Sequence, residues 1–397
     1  MDKVTIVGTE DQPDPEPRGR GWLPIGIIGG IAVGLLIATG AQQNSPDPNT
    51  TPSTIPEVAA PPTVPATTTM LAPSRLDILV DGYEGTLYLA GFRNSLGVLW
   101  RWESRTGTPL VIDIPERMRW ADFNSSRVRI AAAALSTVSP GWNLWVGTPE
   151  NAEPIALSMT SWAWHATDPG RIAWIELDQS LPETLPALLR TATLPAGADG
   201  VFPIADDPAD LDSVPSVVRF DDQGFLLQSL TDEDGYSLIA IDPEEGRESG
   251  RLAARYLGVL PDGDVLISNA GSLQRVSRDL TETADFPFPS EKRMSAIVTS
   301  SAHNRWAIWE VEDATGVAAP TQLWVLEGEA IVFETTLPQT LRAVSWSVDG
   351  RWLIAAVGEP SPLSGFSSGQ LWFIDTEDWS MHQIEAPGYI FAIAAVP

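Results

Sequence analysis

From about residue 80 to the carboxyl end, short apolar runs recur, each opened by a tight-turn signal. They show neither the 3.6-residue stripe of a helix nor the strict alternation of a strand with one wet face. In "WSVDGRWLIAAVG" (residues 346–358) an Asp-Gly turn is followed by apolar residues at nearly every position, and "QLWFIDTEDW" follows from Gln370. A short run of this kind between turns reads as a strand buried on both faces. The same grammar appears in "VDGYEGTLYLAG" at Val80, "NSSRVRIAAAAL" at Asn124 and "TDPGRIAWIEL" at Thr167. It returns in "DDQGFLLQSL" at Asp221, "LPDGDVLISNAG" at Leu260 and "AHNRWAIWEV" at Ala302.

With Asp81, Asn124, Asp168, Asp222, Asp262, His303 and Asp349 as markers, the spacings are 43, 44, 54, 40, 41 and 46 residues. A period of about 40–50 residues is that of a four-stranded propeller blade. A third strand follows each turn. It carries a Leu-Trp pair at Leu99-Trp100, Leu144-Trp145, Leu323-Trp324 and Leu371-Trp372, with "YSLIAID" (from Tyr236), "GSLQRVS" (from Gly271) and "ALLRTATL" (from Ala187) as counterparts. Fourth strands are read at "TPLVIDI", "EPIALSM", "AIVFETTL" and "MHQIEA", and innermost strands at "MTSWAWHA", "MSAIVTS" and "LRAVSWS". The inner slot of the first blade has two claimants, "GYIFAIAAV" (388–396) and "RLDILV" (75–80). In a ring of wedges the middle strands of each blade are covered on both sides, which accounts for the lost alternation. The expected fold is therefore all-β, a seven-bladed propeller over residues 76–397.

The motif "SWSVDGRWLIAAV…QLWFID" resembles the repeat of TolB-like and WD-like bacterial propellers, with its Asp-Gly turn and its apolar-Trp-apolar-apolar-Asp third strand. The likeness covers the repeat region and is clearest in the last three repeats. It implies a propeller, and a repeat of this kind identifies a fold and no activity.

The first 75 residues follow another pattern. Residues 21–46 carry no charge, and "WLPIGIIGGIAVGLLIATGA" (22–41) is long enough to cross a hydrocarbon core of about 30 Å as a helix. Arg18 and Arg20 precede it, while the next charges, Asp47 and Glu57, are acidic; positive residues stay cytoplasmic, so the short tail (1–20) is expected inside and the rest outside. The leader is long and net acidic, which favours a retained span at 21–41 over a cleaved signal peptide. Gly26, Gly30 and Gly34 are spaced to share one helix face and permit close pairing with a second copy. Residues 42–75 hold eight Pro and seven Thr with hardly a large apolar side chain, the composition of a disordered, extended stalk. The expected location is the cell membrane, single-pass, with the propeller outside.

Composition narrows the chemistry. A formal charge of −28 repels phosphate backbones, so nucleic acid is not an expected partner, though such acidity also serves simple solubility. Cysteine is absent and only His165, His303 and His382 supply imidazoles. "GFSSG" (365–369) fits the nucleophile-elbow spacing, yet it sits in a loop between strands, where Ser367 has no strand-to-helix turn to expose it. "LTDEDG" (230–235) copies part of a calcium loop but has Leu230 at the first ligand position, and "ADDPADLD" (205–212) is an acidic loop; calcium is the one cofactor these could hold. His165, three residues before Asp168, reads either as an acid/base near the channel or as a turn cap, and His303 as a substitute for a turn Asp.

The long connections, 136–142, 178–186, 195–215, 313–320 and 359–369, all fall on the face opposite the Asp-Gly turns. Loops on a rigid scaffold carry recognition, so a protein or cell-envelope ligand is expected there, with Trp142 and Phe366 as aromatic contacts. The competing expectation is an exported lyase, glycosidase or lactonase working through channel carboxylates.

Overall fold

The computed structural model describes residues 79–397, apart from 95, 107, 113–117, 125–128, 136–141, 169, 178–186, 195–197, 204–214, 231–234, 245, 270, 290–292, 311–318 and 359–368, together with the pair Thr68–Thr69. The expected span 22–41, with Gly26, Gly30 and Gly34, lies outside the described residues. Among those described there is no helix at all, and so none long and apolar enough to cross a membrane.

Thr68–Thr69 form β1. Then come β2 (Thr86–Arg93), β3 (Leu96–Glu103) and β4 (Leu110–Ile112), followed by β5 (Met118–Asn124), β6 (Arg129–Leu135), β7 (Trp142–Thr148), β8 (Asn151–Trp164), β9 (Arg171–Leu177), β10 (Ala187–Thr193) and β11 (Ala198–Pro203). Next are β12 (Ser216–Asp221), β13 (Gly224–Leu230), β14 (Tyr236–Ile241) and β15 (Glu248–Leu252), then β16 (Arg255–Val259), β17 (Val265–Asn269), β18 (Ser272–Val276) and β19 (Thr283–Asp285). The chain ends with β20 (Met294–Thr299), β21 (Arg305–Glu310), β22 (Thr321–Glu327) and β23 (Ala330–Leu337), then β24 (Leu341–Trp346), β25 (Trp352–Val357), β26 (Gln370–Asp375), β27 (Met381–Glu385) and β28 (Tyr389–Val396).

These strands form antiparallel meanders in six sheets. Five hold one meander each; the sixth runs β5 to β11 without a break, because the 14-residue β8 pairs with β7 through its first half and with β9 through its second. The first-blade slot goes to the carboxyl-terminal claimant: β28 pairs along the whole of β2, so the last strand of the chain completes the first sheet. Leu79 of the rival segment instead donates its amide to the Ser104 carbonyl. β1, inside the stretch read as stalk, lies parallel to the outer edge of β27.

Innermost strands touch their neighbours in sequence, with β28 against both β24 and β5, β8 against β12, and β20 against both β16 and β24. Seven apolar clusters lie among the described residues, each drawing side chains from two consecutive meanders. Trp346, Trp372 and Trp309, for example, meet between the last two. Burial follows the radius: β24 and β25 are buried at every position, whereas the outer β15 and β19 are mostly exposed. That gradient is the reason the middle strands lack alternation.

Every innermost strand also carries one extra residue near its start. The bulges fall at Arg119, Thr160, Val218, Leu257, residues 295–296, Arg342 and Phe391. A bulge bends the strand and sharpens its twist, which lets the inner edges converge on the axis. At Gly258 (φ 153°) a side chain would run into Ile297 of the next inner strand, so the approach there demands glycine.

Candidate functional site

The two ends of the ring differ in construction. At the turn rim, hairpins that join first and second strands sit beside those that join third and fourth. Here charged side chains reach from one meander to the next. Arg171 Nη1 lies 3.2 Å from Asp222 Oδ1, and Arg278 makes two hydrogen bonds, 2.9 and 3.2 Å, to Asp221. Arg219 closes on the same carboxylate at 2.6 Å and reaches the Gly263 carbonyl of the following turn at 3.0 Å. Tyr88 Oη donates to Glu150 at 3.0 Å, and Arg305 Nη1 to Thr376 Oγ1 at 3.0 Å. Burial works to raise the Asp221 carboxyl, but the bonds and charge of Arg278, then the charge of Arg219, outweigh it and hold the group below the usual carboxylate range.

His165 belongs to this lattice. Its ring is almost fully buried; Nδ1 accepts from the amides of Asp168 at 3.0 Å and Thr167 at 3.3 Å, which leaves the proton on Nε2, 3.2 Å from Asp222 Oδ1. Burial, then the Arg171 charge, push its pKa down against the pull of Asp222, so the imidazole is neutral. The turn-cap reading describes this geometry. An acid/base would need a free ring nitrogen, and neither is free.

His303 lines an open depression of about 640 Å³ with Arg305, Asp349, Arg351, Thr376 and Glu377. Gly350 (φ 71°) lies against His303 and Ser300, where any side chain would clash. Arg351 grips Asp375 through Nη2 at 2.7 Å and Nε at 3.1 Å, while Arg305 pairs with Glu327 at 3.0 Å. The depression is polar, its arginines are each neutralised within their own meander, and the Arg305–Thr376 bond latches the two meanders together.

One carboxyl at this end has no such partner among the described residues. Asp122 occupies the position in β5 that Asp221 occupies in β12, counted from the bulge. Its hydrogen bond is to the Phe123 amide at 2.8 Å, and burial pushes its pKa up to about 8. Sequence reasoning missed it because the difference from Asp221 lies in the partners: Arg219 on the same strand and Arg278 from the next meander.

At the loop rim, Trp142 was expected on a loop. It opens β7 instead, half-buried with its ring 4.2 Å from that of Trp120. Phe366, Ser367 and the acidic stretch 205–212 lie outside the described residues, as do residues 231–234 of the calcium-like segment. Among the described residues no cluster of His, Asp and Glu is spaced to hold a metal. The insertion expected at 195–215 is partly strand, since β11 is the outer strand of its meander. The turn-rim pairings were signalled, unread, by an arginine that closes several turn motifs: Arg171 and Arg305, which reach the next meander, and Arg351, which binds within its own.

No protein-family model matches the sequence, and neither does any curated protein. Among solved structures, the periplasmic gluconolactonase PpgL of Pseudomonas aeruginosa superposes with a TM-score of 0.50 at 12% identity, over 79% of this chain and 99% of that one. The C-terminal WD40 domain of Sif2 gives 0.48 at 13% identity, over 83% and 89%. TolB from Acinetobacter baumannii gives 0.43 at 14%, over 76% and 79%. At such identities the likeness is one of fold alone, and the fold is a β-propeller.

Proposed function

We propose that the chain is a seven-bladed propeller that binds, without catalysing, a protein or cell-envelope ligand through its loop rim, displayed outside the cell membrane on a stalk. The blade count takes the seven-stranded sheet as two consecutive blades joined through β8. Seven inter-meander clusters and the seven sequence markers support it. The membrane placement rests on the uncharged segment 22–41 and the arginines before it, and the dimer contact on Gly26, Gly30 and Gly34.

The observation that carries the binding reading is the turn rim. Most of its arginines and acids, and His165, are paired with one another, through bonds between consecutive meanders at His165, Arg171, Arg278 and Arg305 and within the last meander at Arg351. That rim is built for rigidity, which leaves recognition to the opposite one, where the long connections emerge. Cross-linking and capture on intact cells with the full-length protein tests this. Substitution within 313–320 or 359–369, with Phe366→Ala as the narrowest case, is expected to lose the captured partner, whereas Arg351→Gln is expected to keep it. The opposite result would place recognition at the turn rim.

A second reading, an exported enzyme using channel carboxylates, draws support from Asp122, whose raised pKa suits a proton donor near neutrality. Abolition by Asp122→Asn of a hydrolytic or eliminating activity toward lactones or uronic-acid glycans, with unchanged folding, would favour that reading over ours.

A further inference from the structure

The inner ring is polarised along its axis. At the turn rim the innermost strands and their turns carry Asp122, Asp168, Asp221, Asp222, Asp262 and Asp349. At the loop rim the described starts of the same strands carry Arg119, Arg255, Arg293 and Arg342 and no carboxylate. The turn rim also holds arginines, Arg219 on β12 among them, but those are interleaved with acids, whereas in a chain of formal charge −28 the described loop-rim strand starts carry arginine alone among charged residues.

The cluster around Arg255 is the most developed. Arg255 opens β16 and is only 6% exposed; Nη1 donates to the Met294 carbonyl at 2.9 Å and Nη2 to that of Ser295 at 3.2 Å, while buried Nε has no partner. Arg293, exposed beside it, donates through Nη2 to Tyr236 Oη at 3.2 Å. Both guanidinium groups lie over the Tyr236 ring, at 5.8 and 6.0 Å from its centre. Glu310 faces Met294 across the β20–β21 ladder.

A guanidinium out of water without a counter-ion is costly, and such groups are normally found paired. Burial, then the repulsion of Arg293, lower the pKa of Arg255 to about 10 against a smaller upward pull from Tyr236. Backbone carbonyls satisfy two of its donors, and among the described residues no carboxylate neutralises it. A second cation held beside it by an aromatic ring raises the local potential further.

We propose that the loop-rim mouth at Arg293 and Tyr236, with Arg255 behind them, is a binding site for an oxyanion, a carboxylate or a phosphate group borne by the partner. An oxyanion placed there accepts from the outward-facing donors of Arg293 and the Tyr236 hydroxyl. It also neutralises the buried Arg255 charge across a short, poorly screened distance. Charge-assisted contacts to guanidinium are the stronger class of hydrogen bond, and a planar aromatic beside them favours an acid attached to a flat or apolar body. This rests on the reading of the loop rim as the recognition face and specifies its chemistry.

The test uses full-length protein in neutral detergent and equilibrium dialysis against inorganic phosphate or acetate, with chloride holding ionic strength constant. At least one probe is expected to bind saturably at one site per chain. Arg293→Gln should weaken it by about tenfold or more, equivalent to about 1.4 kcal/mol, and Arg293→Lys by less; the unfolding midpoint in chloride should not move. A preference for acetate indicates a carboxylate source and for phosphate a phosphoryl source. Absence of saturable binding, or equal binding to wild type and Arg293→Gln, overturns the proposal. The two readings fail separately. Partner capture on cells that persists in Arg293→Gln after oxyanion binding is lost removes the oxyanion from recognition and leaves the loop rim standing. Capture lost only by turn-rim substitutions removes the loop rim while the dialysis result stands.

Discussion

Asp122 and Asp221 show how one position in a repeat acquires two chemistries. Both sit three residues past the bulge of an inner strand. Asp221 is gripped by Arg219 and Arg278 and stays ionised; Asp122 receives one backbone amide. The native chain therefore holds a proton on Asp122 up to about pH 8 that the unfolded chain releases near pH 4. A folded-state pKa above the unfolded one means stability falls as pH rises between those values, then levels off. Part of the residue still meets solvent, so the slope is shallower than for a sealed carboxyl. In Asp122→Asn the fall in unfolding midpoint between pH 5 and pH 9 should shrink, a comparison that calorimetry makes directly. For Asp221 the sign reverses: its stabilisation is present at neutral pH and is lost on acidification. Asp221→Asn should destabilise at pH 7 by about 1–3 kcal/mol, since it strands two guanidinium groups, and should differ less from wild type below pH 3.

Among elements, the middle strands were the most legible and the outer ones the least. "WLIAAV" and "RWAIWE" announce themselves because burial on both faces leaves a continuous apolar word. β15 and β19 leave no such trace, being exposed strands fixed by a neighbour's backbone. The bulges could not be read at all: Arg119, Thr160, Val218, Leu257 and Phe391 are five different residue types, because a bulge is set by the geometry of convergence at the axis. Nor could the inner slot of the first blade be assigned, since two apolar segments of similar length competed for it. Of the site, the turn markers and His165 as a cap were visible, whereas the latching arginines and Tyr236 with Arg255 depend on pairings between meanders distant in sequence. Two substitutions probe these elements by chemical denaturation. Trp309→Ala removes a buried aromatic that packs between the last two meanders and should cost about 3–5 kcal/mol. Gly258→Ala forces an L side chain at φ 153° into Ile297 and should cost about 1–3 kcal/mol.

At the scale of the whole molecule, stability is a property of closure. Each meander buries its faces against two others, so an opened ring exposes a full apolar flank on both sides of the gap. β28 carries that closure. It pairs with β2 along its length, and through Ile390, Ile393 and Ala395 it packs toward β25 and β26 while Ala392 and Ala394 pack toward β5. Eight residues at the carboxyl end thus hold the amino-terminal meander in the ring. Removal of residues 389–397 leaves β2 with a bare inner edge and uncovers both clusters at once. The loss exceeds what a marginally stable fold can absorb, and the exposed edge is a template for intermolecular pairing. Truncation at Gly388 should therefore abolish the cooperative unfolding transition and produce soluble aggregates on gel filtration. Supplying residues 389–397 as a separate peptide should restore part of the transition, because the slot it fills is preformed by β2, β25 and β5. A truncated chain that still unfolds in one cooperative step would mean that the remaining meanders close without their last strand, and the ring argument would fail with it.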